Sequence, residues 1–475
     1  MQENKSHLYM RSHHTLSSDY KNGVIRGQEV YSEDKDGKPI YDFSNVNAVF
    51  HEYVKRGIKP IVEYDYMPEL LELDSENADT GNDEGMTMRN TGPSDWSKWS
   101  NLMKALTKNF EDEFGLAEIK TWYFEVWNEP DGWPIEELDV FFKMYDVFVD
   151  AVTSVDPELK VGGPAGYHEY MLRPFLQHVV NGTNYVSGER GTKIDFISFH
   201  IYGLSGKWLN NEPHIYPQVQ RFSQSVLWLK RLISDFKPLK GIPLHINEWG
   251  LSSNYFRTVK DYPDLKYRNS EESALFLVKL VNSLYQIEDN YNFPTDLLLY
   301  WGFSWEADED EFFVGKRELT TAGDIPKPIQ TGFEMLARLN EERISVQRSQ
   351  KDSRFGVLAT KSEAKEQVSL IAYNYNETDD DLSITDEVKI ELNGLQKNRT
   401  FSVSEISMDR RNNNTYRAWE EAGKPKKSEG VDVSKIKDAG ELKETSIYTF
   451  ETDAEGKAVL NVDLQRHSMK LLIVK

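Results

Sequence analysis

The chain has no cysteine, which excludes disulfides, thiolate metal sites and a cysteine nucleophile, and says little about compartment. No run approaches the roughly 18 apolar residues of a membrane span. Positive charge is in deficit, with 56 Lys and Arg against 78 Asp and Glu and a formal net charge of −22. That argues against nucleic acid or an anionic membrane as the main partner, and mildly against a polyanionic sugar chain. No two of the ten histidines show helical ligand spacing of the His-Glu-x-x-His kind, and no glycine-rich loop could cradle a phosphate. No metal or other cofactor is therefore expected. The stretch Met1 to His7 has no apolar signal core.

What is present is size and aromatic surface. A chain of 475 residues exceeds one ordinary core, so two domains are expected. Its 11 Trp, 24 Tyr and 23 Phe suit sugar stacking, although packing in a large barrel accounts for them as well.

Two short stretches carry the chemistry. Trp122-Tyr123-Phe124-Glu125-Val126-Trp127 reads as a strand buried on both faces, stopped at Asn128-Glu129-Pro130 because proline cannot continue the ladder. Ile242-Pro243-Leu244-His245-Ile246 repeats the layout and ends in Asn247-Glu248-Trp249. A glutamate at the end of a buried strand is costly unless something uses it. Paired carboxylates facing one cleft are what glycoside hydrolysis needs. The plainer reading, two buried salt-bridge partners, leaves the repeated layout unexplained.

Around them strands and helices alternate. Strands are expected at Leu8 to Arg11, Lys59 to Glu63, Leu159 to Gly162, Lys193 to His200 and Leu297 to Trp301. Helices are expected from Ser44 (as N-cap) to Arg56, Ser94 to Phe114, Ile135 to Val155, Glu169 to Val180, Val219 to Phe236, Glu271 to Glu288 and Thr331 to Asn340. A polar loop is expected around Asp36-Gly37-Lys38-Pro39. This alternation predicts an α/β fold, a (β/α)8 TIM-type barrel over residues 1–343, with the polar strand-end residues on its catalytic face. Seven units are found where the barrel needs eight. Either one unit is hidden, or the first strand and helix lie upstream of Met1. From about Ile344 short β-like runs separated by turns predict a β-sandwich over 344–475, with Lys424 to Glu444 a charged loop.

The two glutamate motifs resemble the clan of retaining glycosidases on (β/α)8 barrels. More narrowly, the chain resembles glycoside hydrolase family 39, the β-xylosidase and α-L-iduronidase family. Further stretches carry this: Arg11-Ser12-His13-His14; Gly37 to Ser44 followed by Lys59 to Glu63 and Met67-Pro68; Tyr300-Trp301-Gly302-Phe303-Ser304; and Gly323-Asp324-Ile325-Pro326-Lys327-Pro328. The loop Trp305 to Asp310 departs from the family's acidic pattern at its first position.

The resemblance implies Glu129 as general acid/base and Glu248 as nucleophile. Asn128 is expected on the sugar 2-hydroxyl, Tyr202 on the nucleophile and His200 on a sugar hydroxyl. His13 is a candidate sugar contact and Trp301 a candidate stacking surface, with packing roles open for both. Glu63 is read as a supporting hydrogen-bonding residue, Glu125 as structural and Trp249 as a core cap. The expected partner is an oligosaccharide or glycoside, first a β-xyloside. An α-L-iduronidase would need cations for a uronate, and Arg89, Lys207 and Arg257 are the loop candidates. A sugar-binding barrel without turnover, or a scaffold, are the alternatives from other classes. Other family-39 specificities (β-galactosidase, α-L-arabinosidase) also stay open.

Overall fold

The computed structural model describes residues 7–16, 30–73, 92–204, 216–253, 257–302, 310–349, 352–377 and 382–475. Arg89, Lys207 and most of the loop from Trp305 lie outside them.

Among the described residues seven strands form one parallel sheet. They are β1 (Tyr9–Arg11), β4 (Lys59–Tyr64), β5 (Tyr123–Val126), β6 (Lys160–Gly166), β7 (Phe196–Tyr202), β8 (Leu244–Gly250) and β9 (Leu297–Tyr300), ordered β1-β4-β5-β6-β7-β8-β9. The sheet curls until β1 and β9 approach each other, without backbone pairing between them among the described residues. The central strands are apolar on both faces because residues inside the curl and helices outside it both exclude water; every residue of β8 is buried.

Helices follow the strands, among them Trp96–Phe114, Leu138–Val155, Glu169–Asn181, Val219–Ser234 and Glu271–Tyr291. The helix expected to be capped by Ser44 has Ser44 as its first residue, and Asp42 accepts the Ser44 N–H at 3.0 Å. Asp95 caps the next helix, accepting from Ser97 and Lys98. The last barrel helix runs Pro328–Leu336, earlier than expected, because proline fits the first helical position. The polar loop around Gly37 is the turn of a hairpin, β2 (Tyr31–Glu33) with β3 (Pro39–Tyr41). The strand expected from Lys193 starts at Phe196, after Asp195 has used its carboxylate on the Val161 N–H at 2.9 Å.

Three register shifts interrupt the ladders: between Pro164 and Gly166, Phe199 and His200, and Ile246 and Trp249. All lie toward the C-terminal strand ends. A bulge re-aims the side chains beyond it, and His200 and Glu248 stand at two of these shifts.

The second half is antiparallel. β10 (Glu342–Ile344), β11 (Phe355–Ser362), β12 (Gln367–Asn374), β17 (Ser468–Val474), β14 (Thr400–Met408) and β15 (Ser446–Glu451) form one sheet in that order. A two-stranded sheet of β13 (Thr385–Leu392) and β16 (Ala458–Gln465) covers it, with Leu370, Val403, Leu460, Val462 and Leu472 between them. The segment expected as a charged loop is partly helical. Helix Thr415–Glu421, capped by Asn414, and helix Ser434–Asp438 pack Tyr416, Trp419 and Ile436 onto Phe312, Phe313 and Ile325 of the barrel half. No described helix is long and apolar enough to cross a membrane.

Candidate active site

Strand β5 ends at Val126, and the chain then turns through two residues in the left-handed region, Trp127 (φ 70°) and Glu129 (φ 46°). Non-glycine residues adopt this conformation at a cost of about 1–3 kcal/mol, and surrounding contacts must hold it. Here the Ala165 carbonyl accepts the Glu129 N–H at 3.0 Å. Asp131, two residues on, accepts the backbone N–H groups of Tyr167 and His168 at 2.9 and 2.7 Å. Burial and the nearby Glu129 charge push the Asp131 carboxyl up to about 6, against the pull of those N–H groups.

Glu248 stands on β8, three ladders away from β5 and beyond the bulge. An oxygen of Glu129, one of Glu248 and a ring nitrogen of His200 all lie within 4.8 Å of one another. The Glu129 side chain is 22% exposed and that of Glu248 only 7%, so one carboxyl faces the opening and the other the interior.

The partners of Glu248 are cationic or hydrogen-bond donors. The Tyr202 hydroxyl donates to Oε1 at 2.6 Å, the Arg11 guanidinium lies 3.6 Å from Oε2, and His200 Nδ1 lies 3.7 Å away. Burial alone would raise this carboxyl, but His200, Arg11, Tyr202 and Arg317 together hold it below its ordinary value. His200 sits closer to Glu129, with Nδ1 at 2.8 Å from Oε1. Burial disfavours its protonation, yet the two glutamates outweigh that and raise its pKa. Its Nδ1 therefore lies between the two carboxylates, bonded to Glu129, while Nε2 is buried with no hydrogen-bond partner among the described residues.

Arg11, at the end of β1, forms the floor. Its side chain is 8% exposed, pairs with Glu125 and with Glu63 at 3.1 Å, and donates to Asn128 Oδ1 at 3.1 Å. Glu125 also accepts from Asn247 Nδ2 at 2.9 Å. Asn128 donates to the Tyr66 hydroxyl at 3.1 Å, so the described protein already engages its oxygen and one of its two N–H groups; the second N–H is the donor left for a ligand. His13 reaches Glu63 at 3.0 Å and Asp65 at 3.3 Å, and burial lowers its pKa. Burial drives the carboxyls of both Glu63 and Asp65 well up, against the pull of Arg11 on Glu63 and of His13 on Asp65.

Two groups have ligand-like spacing: Glu129 with His200 and Glu248, and His13 with Glu63 and Asp65. In the first a cation would occupy the paired carboxylates. In the second the Arg11 charge already stands beside Glu63.

Arg317 was missed from sequence. It is 4% exposed, lies over the Trp301 ring at 3.3 Å from its centroid, and donates to the Tyr202 hydroxyl at 3.2 Å. One face of Trp301 is thus covered by a guanidinium, leaving at most the other for a sugar. No motif marks Arg317, which lies in a loop between β9 and the last barrel helix; only the fold brings it to Tyr202. Arg257 is exposed, and Trp249 is fully buried against Phe222, Phe276 and Tyr300.

The family model for glycosyl hydrolases family 39 matches residues 2–456. A β-xylosidase of Caldicellulosiruptor saccharolyticus is 27% identical over 92% of this chain and 83% of its own length. A β-xylosidase of Geobacillus stearothermophilus is 28% identical over 72% of this chain, and the match spans 64% of that enzyme. The crystal structure of a monomeric β-xylosidase from Caulobacter crescentus CB15 superposes with a TM-score of 0.74 at 21% identity, covering 100% of this chain and 92% of that one. On the family model, the chain belongs to family 39 of the glycosyl hydrolases.

Proposed function

We propose that the protein is a retaining glycosidase that removes a terminal sugar by double displacement, with β-xylosides the first substrate class. The observation that carries this is the approach of one oxygen of Glu129 to one of Glu248 within 4.8 Å. Retaining enzymes hold their carboxyl groups about 5–5.5 Å apart, whereas inverting ones leave about 6.5–9.5 Å for a water. Glu248, held ionised by His200, Arg11 and Tyr202, attacks the anomeric carbon, and the bond to the leaving oxygen breaks. Glu129 gives that oxygen its proton. In the second step Glu129 takes a proton from water, which displaces Glu248 from the sugar. The unspent N–H of Asn128 is the group placed for the sugar 2-hydroxyl.

Arg317 favours a second reading. A guanidinium beside the nucleophile's tyrosine suits a substrate carboxylate, as in an α-L-iduronide; an α-L-iduronidase of Mus musculus is 23% identical over 69% of this chain.

The test is release of aryl alcohol from aryl β-xyloside, β-glucoside, β-galactoside, α-L-arabinoside and α-L-iduronide, by wild type, Glu129→Ala and Glu248→Ala. Turnover of one glycone, abolished by Glu248→Ala and lowered about 10²–10⁴-fold by Glu129→Ala, is the expected result. Affinity for a sugar without turnover, unchanged by Glu248→Ala, would establish the binding-protein reading instead.

A further inference from the structure

Between β6 and helix Glu169–Asn181 only Tyr167 and His168 intervene, and their backbone is fastened to the loop of the acid/base. Asp131 accepts both their N–H groups, at 2.9 and 2.7 Å, and the Glu129 N–H is bonded to Ala165 at 3.0 Å. Gly166 makes the approach possible, because a Cβ there would meet Asp131 Oδ2 at 2.6 Å. Residues Val161 to Gly166 are all buried, yet Tyr167 is 50% exposed. Its phenol lies close enough to Glu129 and Asp131 for their charges, after burial, to raise its pKa. The rings of His168 and Tyr170 stand beside each other at 4.9 Å on the same lip.

A single exposed tyrosine is ordinary; its position is what matters. The general acid must touch the leaving oxygen, so the departing group starts against Glu129 and away from the sugar held by Glu248. His13 and Trp301 project from β1 and β9, at the other edge of the curled sheet. Strand β6 adjoins β5, so among the described residues the chain that rises beside Glu129 on that flank is the one carrying Tyr167. An aromatic ring there offers the leaving sugar an apolar face together with a hydroxyl.

We infer that Tyr167 is the platform for the leaving group, a specificity-determining residue that contacts the second sugar and not the sugar being transferred. This rests on the glycosidase reading above. The experiment measures kcat and KM of wild type, Tyr167→Ala and Tyr167→Phe on two substrates of one glycone. One is a disaccharide (β-1,4-xylobiose for xylose) and the other is the glycosyl fluoride, whose leaving group has no ring. If the aryl panel selects another glycone, the corresponding pair is used. Tyr167→Ala should lower kcat/KM on the disaccharide about five- to tenfold, the scale of one lost aromatic contact, and leave the fluoride unchanged; Tyr167→Phe should restore most of the loss. Equal losses on both substrates, or none on the disaccharide, would overturn the inference. Wild type inactive on both substrates would refute the glycosidase reading itself, which keeps the two failures apart.

Discussion

His200 is the residue on which the balance of charge turns. It is fully buried between Glu129 and Glu248, and its pKa is raised above the ordinary imidazole value of about 6.5. A base with a raised folded pKa adds stability that is complete below its unfolded pKa. That stability is lost as pH rises through the folded value. His200→Gln should therefore lower the unfolding temperature most below about pH 6.5, and the gap to wild type should narrow as pH rises above it. Scanning calorimetry at a fixed scan rate on both sides of that pH checks it; a gap independent of pH would mean that the imidazolium carries no stabilising charge. Glu248 runs the other way. Its depressed pKa stabilises the fold above the unfolded value of about 4.3 and loses that contribution as pH falls through the folded one.

At the scale of elements, the excursion between β14 and β15 ties the sandwich to the barrel. Glu271, the fully buried first residue of a barrel helix, receives Arg417 through both carboxylate oxygens at 2.8 and 3.0 Å, and Asn414 at 3.0 Å. Beside this clamp, Tyr416 and Trp419 pack on Phe313, four residues before Arg317. Removing one partner of a buried ion pair leaves the other charge without compensation, at a cost of about 3–5 kcal/mol. Glu271→Gln should thus lower stability by that order in urea unfolding. Replacing Glu271 and Arg417 together by apolar residues should cost far less. Because the wall that carries Arg317 rests on this cluster, Glu271→Gln should also loosen the segment 310–318, read as faster hydrogen exchange there.

For the whole molecule, chain order and spatial order diverge most at the C-terminus. β17, the last strand, lies between β12 and β14 in the centre of its sheet, with Met469, Leu471, Leu472 and Val474 buried. A chain ending at His467 loses both ladders and exposes the inner face of the sandwich. It should be recovered as aggregate or unfold without a cooperative transition, as followed by circular dichroism on heating. A soluble, cooperatively folded product would show that the barrel half stands without the sandwich. Full-length protein should retain both.

Much of this was legible in the residues. The alternation of buried apolar runs with amphipathic helices reports strands and helices directly, because burial on one or both faces sets the period of the pattern. The strand-end placement of Glu129 and Glu248 followed from Pro130 and from the cost of a carboxylate beside a buried strand. Short elements fared worse. The helices at Thr415 and Ser434 are brief, so tertiary packing decides them more than propensity does.

The sequence by itself determined the parallel α/β half, the β-rich second half, the two carboxylates and their family. Each of these rests on local chemistry: hydrophobic period, strand-ending residues, motif. Only the tertiary structure decided which partners those carboxylates have. Arg11 on β1, His200 and Tyr202 on β7, and Arg317 in the loop after β9 come from three separate parts of the chain and meet at Glu248 because the sheet curls. His200 bonds to Glu129 where the β7–β8 register shifts by the extra β8 residue Asn247, and Tyr167 stands beside the Glu129 loop because Asp131 fastens two loops together. Distances of this kind depend on how strands are ordered around the curl, and residue patterns along a single strand do not encode that order.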